Sequence, residues 1–84
     1  MANSKKLESK VQSRVIGILK EDGWLVVKIG LCSIPGFPDL MALKSGRVKF
    51  VEVKRTGEKP RPLQEYRHKQ LREQGFEVEV VDDS

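Results

Sequence analysis

Asp39, Glu52 and Lys54 are the residues of this sequence best suited to chemistry. They lie in the stretch IPGFPDLMALKSGRVKFVEVKR, residues 34–55, where Val48, Phe50, Val51 and Val53 surround the later charges. A charge inside a strand-like apolar run is costly unless it is paired or bound. Side chains alternate along a strand, so Val48, Phe50, Glu52 and Lys54 share one face while Lys49, Val51 and Val53 share the other. If Ser45 and Gly46 make a tight turn, Lys44 faces Arg47 and Asp39 faces Glu52, and directly opposed like charges repel. A cation between the two carboxylates removes the conflict. Mg2+ (or Mn2+) is the expected cofactor, since Mg2+ takes oxygen ligands and is commonly held by one or two carboxylates, waters and a substrate phosphate. Asp39, Glu52 and the backbone carbonyl of Val53 would form part of that shell. Lys54 would orient or help deprotonate the attacking water, or neutralise developing charge. The metal would polarise the phosphoryl group, and the expected chemistry is cleavage of nucleic acid.

An E-x-K pattern alone is common and also fits a solvated strand end with ordinary ion pairs. Its context sharpens it here. Pro38 forces an extended approach to Asp39, and Gly36 lets the backbone turn sharply or approach a ligand closely.

The elements that must position these groups follow from periodicity. Residues 4–22 read as a helix, with Leu7, Val11, Val15, Ile18 and Leu19 at helical spacing and Gly23 as the stop. WLVVKIG, residues 24–30, reads as a strand and LCSIPGFP, residues 31–38, as a loop. DLMALK and RVKFVEVKR form two strands around the Ser45-Gly46 turn. After the loop TGEKPRP, Pro62 opens a second helix, LQEYRHKQLREQ, stopped by Gly75. FEVEVV alternates as a strand with one buried face. The crossover through the second helix allows the last strand to lie parallel to the third. The predicted fold class is α/β, order αβββαβ, with a mixed sheet flanked by helices.

PGFPD followed by VKFVEVKR resembles the signature of the PD-(D/E)xK nuclease superfamily. More narrowly, the chain resembles the VRR-NUC domain, the virus-type replication-repair nuclease module, and the resemblance spans nearly all of it. It implies a restriction-endonuclease-like core filling a single domain, residues 1–84. By that resemblance Asp39 and Glu52 are metal-binding carboxylates and Lys54 the catalytic lysine. Glu8 matches an acid of the family's first helix that is used near the metal, and Gln64 matches a glutamine of its second helix. An exposed helix glutamate and a solvated helix residue are the ordinary alternatives for these two. Bare domains of this kind are similar to phage-encoded proteins that resemble Holliday junction resolvases and work as homodimers. The expected function is therefore metal-dependent endonuclease cleavage of branched DNA by a homodimer. Cutting of flaps, ends or plain duplex is the nearest alternative, because one fold serves many tasks. A non-catalytic DNA-binding module and an interaction protein with a coincidental acid pair are others.

Composition agrees with a polyanionic partner. The 84 residues carry a net charge of +4, with a pI near 9.4. Basic residues gather on the first helix, Lys10 and Arg14 included, and from Lys54 through Arg55, Lys59 and Arg61 into the second helix. Lys59 and Arg61, flanked by Pro60 and Pro62 just after the active strand, are the leading phosphate contacts. With one cysteine, Cys32, no disulfide can form within the chain and no Cys/His zinc pattern exists. No secretory segment is evident, and no apolar run approaches the roughly 20 residues of a membrane span. The expectation is an intracellular protein, in the cytoplasm of a host cell. His68 is expected on an exposed helix face, and Trp24 and Phe76 in the core. Leu31, Ile34 and Phe37 are expected to pack on the core or form a dimer contact.

Overall fold

The structure, a computed structural model, describes the backbone of residues 3–82 and the side chains of residues 9–82. Its elements are α1 (Asn3–Glu21), β1 (Leu25–Lys28), β2 (Leu40–Lys44), β3 (Arg47–Val53), α2 (Pro62–Glu73) and β4 (Glu77–Val81). The four strands form one sheet in the order β1-β2-β3-β4. β1 and β2 are antiparallel, as are β2 and β3, whereas β3 and β4 run parallel through the α2 crossover. This is the mixed αβββαβ arrangement expected from the sequence. Ser45 and Gly46, at φ of 50° and 79°, make the tight turn between β2 and β3. Lys44 faces Arg47 and Leu40 faces Val51, so the register carries Asp39 opposite Glu52.

α1 lies on the face of the sheet that carries Val51 and Val53. Val11, Val15 and Leu19 project from it at four-residue spacing into a core with Trp24, Leu40, Ala42, Val51 and Val53. Ile18 does not join them and is 58% exposed. The helix is turned so that Ile16, packed against the core, flanks the stripe on the side opposite Ile18. Lys49 points to this same apolar face. It is accommodated by an ion pair with Glu79 at 2.6 Å and by lying 4.6 Å from the centroid of the buried Trp24 ring.

Several boundaries differ from expectation, and β3 ends at Val53, leaving Lys54 and Arg55 just beyond it. β1 is shorter than residues 24–30, because Trp24 turns into the core before the strand begins. β2 starts at Leu40, leaving Asp39 just outside it, although the Asp39 carbonyl still accepts the Ile29 N–H at 2.8 Å. Phe76 is 41% exposed rather than core, and it packs edge-on against Phe50 with centroids 5.9 Å apart. Among the described residues no helix is long and apolar enough to cross a membrane.

Candidate active site

Glu52 is 1% exposed, on the sheet face opposite α1. Its carboxylate is met from α2. Gln64 Nε2 donates to Oε2 at 3.2 Å, and His68 Nε2 lies 3.3 Å from Oε1. Lys54 Nζ is 4.0 Å from Oε2, and the Lys54 side chain is itself buried. A carboxylate withdrawn from water needs this many partners. Hydrogen bonds to charged groups contribute about 1.5–3 kcal/mol each, and leaving such a group unsatisfied costs more than that of a neutral one. Phe50, on the same face of β3, packs edge-on with Phe37 at 5.4 Å and keeps the neighbourhood apolar.

The amide of Gln64 has only one sensible orientation. Its Oε1 accepts the Arg61 N–H at 2.8 Å, which leaves Nε2 for Glu52. The side chain therefore closes the first turn of α2 and holds the carboxylate together. The neighbouring loop fixes where that turn sits. Gly36, at φ of 80°, approaches so closely that an added Cβ would stand 2.9 Å from Leu63 Cγ and 3.1 Å from the Leu63 carbonyl oxygen. The sequence suggests a sharp turn or a close approach to a ligand at Gly36; the neighbour it approaches is Leu63 of α2. Arg67 Nε donates to the Pro35 carbonyl at 2.8 Å, a second tie between the same two segments. The loop ending in Asp39 and the helix bearing Gln64 and His68 thus form one braced unit.

Asp39 reaches across to β3, where its Oδ2 accepts the Val53 N–H at 2.8 Å. Continuing the β2–β3 register places Pro38 opposite Val53. Pro38 has no N–H, so it cannot complete the ladder to the Val53 carbonyl. An aspartate, a glutamate and a backbone carbonyl without its ladder donor all converge on the end of β3. Oxygen donors of this kind suit a hard divalent cation. Among the described residues no group of three or more His, Cys, Asp and Glu side chains could hold a metal. A cation here would rest on two carboxylates, the carbonyl, water and substrate oxygens, which fits Mg2+ or Mn2+. The side chain of Glu8, the further acid expected near the metal, lies outside those described.

His68 is buried at 2% exposure, not on the exposed helix face expected from the sequence. Burial lowers its pKa below the usual imidazole value, reinforced by the Arg72 charge. The available signal was spacing. His68 follows Gln64 by four residues, so whatever meets one along the helix axis is within reach of the other.

The basic candidates are spread wider. Lys59 and Arg61 are exposed on the loop that leaves β3. Arg55 is half-buried and held by Glu58 at 2.8 Å. Lys10 and Arg14 are exposed on α1, across the sheet from Glu52. Of the apolar loop residues, Phe37 packs on Phe50, whereas Ile34 is exposed and Leu31 is 109% exposed. Cys32 is exposed as well. A cleft of about 220 Å3 runs along this loop to Asp39. A wider groove of about 810 Å3 lies between α1 and the β3–β4 edge, and its described lining includes none of Asp39, Glu52, Lys54 and Gln64.

Comparison with known proteins places these features in a family. The VRR-NUC domain profile matches residues 8–83. A protein named "Putative nuclease p44", from Acyrthosiphon pisum secondary endosymbiont phage 1, is 34% identical over 76 residues, covering 89% of this chain and 82% of its own. A solved structure described as a VRR_NUC domain superposes with a TM-score of 0.80 at 36% identity, covering 90% of this chain and 84% of that one.

Proposed function

The chain belongs to the VRR-NUC domain family of nucleases, and on that premise we propose that it is a divalent-metal-dependent endonuclease that hydrolyses phosphodiester bonds in branched DNA. The observation that carries this reading is the buried Glu52 carboxylate with Lys54 beside it and Asp39 bound to the next residue's N–H. A binding module facing phosphate would gain from losing these acids.

Asp39, Glu52 and the Val53 carbonyl are the groups that would hold Mg2+ (or Mn2+), with Glu8 as a further acid. The bound metal would supply Lewis-acid polarisation of the phosphoryl oxygen and a lowered water pKa. The chain's own residues do the rest. Val53 N–H holds the Asp39 carboxylate, and Gln64 holds that of Glu52. Lys54 presents its ammonium where it can steer the attacking water or meet the charge that develops on phosphate. Exclusion of bulk water around Glu52 and Lys54 strengthens both effects.

Lys59 and Arg61, followed on the same loop by α2, would neutralise backbone phosphates, with Arg55, Lys10 and Arg14 as further contacts. A homodimer would present two sites in symmetric geometry, which suits paired nicks across a four-way junction. The test is cleavage of a labelled four-way junction, a flap and a linear duplex of one sequence, each with Mg2+, Mn2+ or EDTA. Paired nicks near the branch that need metal and vanish in Glu52→Gln are expected. Equal cutting of all three substrates would remove the junction selectivity. Tight junction binding without cutting in either metal would sink the nuclease reading.

A further inference from the structure

Nothing in the hydrolytic scheme above uses His68, although it is buried and touches the central carboxylate. We propose that His68 is a positioning residue, whose Nε2–H fixes the Glu52 carboxylate jointly with the Gln64 amide. The proposal rests on Glu52 being a metal-binding residue, but its geometry can be tested without metal.

Three observations carry it. His68 and Glu52 are 2% and 1% exposed, so neither has water as an alternative partner. The two α2 donors divide the carboxylate between them, Gln64 at Oε2 and His68 at Oε1, each near 3.2–3.3 Å. They lie four residues apart on a helix braced by Leu63 against Gly36 and by Arg67 to Pro35. A carboxylate gripped at both oxygens from one side cannot turn about its last bond. Nε2 faces the Glu52 Oε1 at 3.3 Å, so the proposed contact places an N–H on Nε2. A histidine that merely filled space would need no particular tautomer.

His68 is the only histidine in the chain, so its ring resonances need no assignment. Long-range 1H–15N spectra of the metal-free protein at pH 8 should show the Nε2–H tautomer. The Nε2 proton should move when Glu52→Gln replaces a charged acceptor by a neutral amide. An Nδ1–H ring, or a ring signal indifferent to Glu52→Gln, overturns the proposal whether or not the protein is a nuclease. The functional arm compares His68→Leu with His68→Gln, which restores a donor near Nε2. Partners that orient metal ligands typically contribute about 10–100-fold to metal affinity. Calorimetric Mn2+ affinity should fall by that factor in His68→Leu and largely return in His68→Gln. On DNA, kcat should fall with KM unchanged. Equal loss in two folded variants, or none in either, would assign the residue to packing alone. Absence of Glu52-dependent Mn2+ binding in the wild-type protein would instead remove the metal reading, and the ring spectrum would still decide the His68 contact.

Discussion

The two faces of β3 divide the work of the molecule. Val51 and Val53 point to α1 and join an apolar core with Val11, Val15, Leu19, Leu40 and Ala42. Phe50, Glu52 and Lys54 point the other way, where α2 brings Gln64 and His68. The first face is held by non-directional burial, which tolerates small shifts. The second is held by directional bonds between charged and polar groups in a place largely shielded from bulk water. The first should therefore govern stability, and the second should govern cutting at nearly constant stability.

The sharpest way to break this contrast is Glu52→Gln. If Glu52 holds the metal as proposed, its loss removes several kcal/mol of transition-state stabilisation, so junction cleavage should fall about a thousandfold or more. The thermal midpoint should fall less than cleavage does, because the amide retains size and an acceptor for Gln64 or His68, although one of the two donors loses its partner. A matching collapse in stability would mean that Glu52 is a structural residue first. Leu19→Ala probes the opposite face. Truncating a buried leucine costs about 2–5 kcal/mol. For a domain of this size each kcal/mol moves the midpoint by roughly 4–8 °C. Cutting per folded molecule, measured well below the midpoint, should remain near wild type.

Gly36→Ala sits between the two regimes. A side chain at φ of 80° is strained, and its Cβ would press on Leu63 at 2.9 Å. The expected cost is about 1–3 kcal/mol of stability. Cleavage should fall as well, because the displaced element is the helix that holds Glu52. A variant that loses stability but cuts normally per folded molecule would uncouple the loop from the site.

The contrast also explains which parts were legible in the sequence. Alternation in β3 and the Ser45-Gly46 turn placed Asp39 opposite Glu52 with Lys54 alongside, because strand geometry is set by local rules. The parallel fourth strand followed from the length of the crossover. His68 was hidden because its burial is tertiary. Among neighbours as polar as Arg67 and Lys69, nothing local distinguishes a histidine facing solvent from one facing a carboxylate. Ile18 misled for the opposite reason. Helical spacing gives a stripe but not its centre, and the rotation of α1 was settled by Ile16 packing against the sheet. Phe76 belongs in the core by its type, but just before the edge strand β4 it packs edge-on against Phe50 and stays 41% exposed.

Ile18→Lys should have the smallest effect, and it tests where the apolar face ends. Ile18 is 58% exposed and beside Val80 in the groove between α1 and β4. A surface substitution away from core packing, caps and buried charges usually changes stability by less than about 0.5 kcal/mol. The lysine stem can also lie along the groove while its ammonium stays in water near Glu21. Denaturant unfolding should therefore give the wild-type midpoint within that margin, with unchanged junction cleavage. A loss of 2 kcal/mol or more would be the scale of a buried truncation. It would mean that Ile18 is covered in solution, and a midpoint that rises with protein concentration would identify the cover as a second copy of the chain.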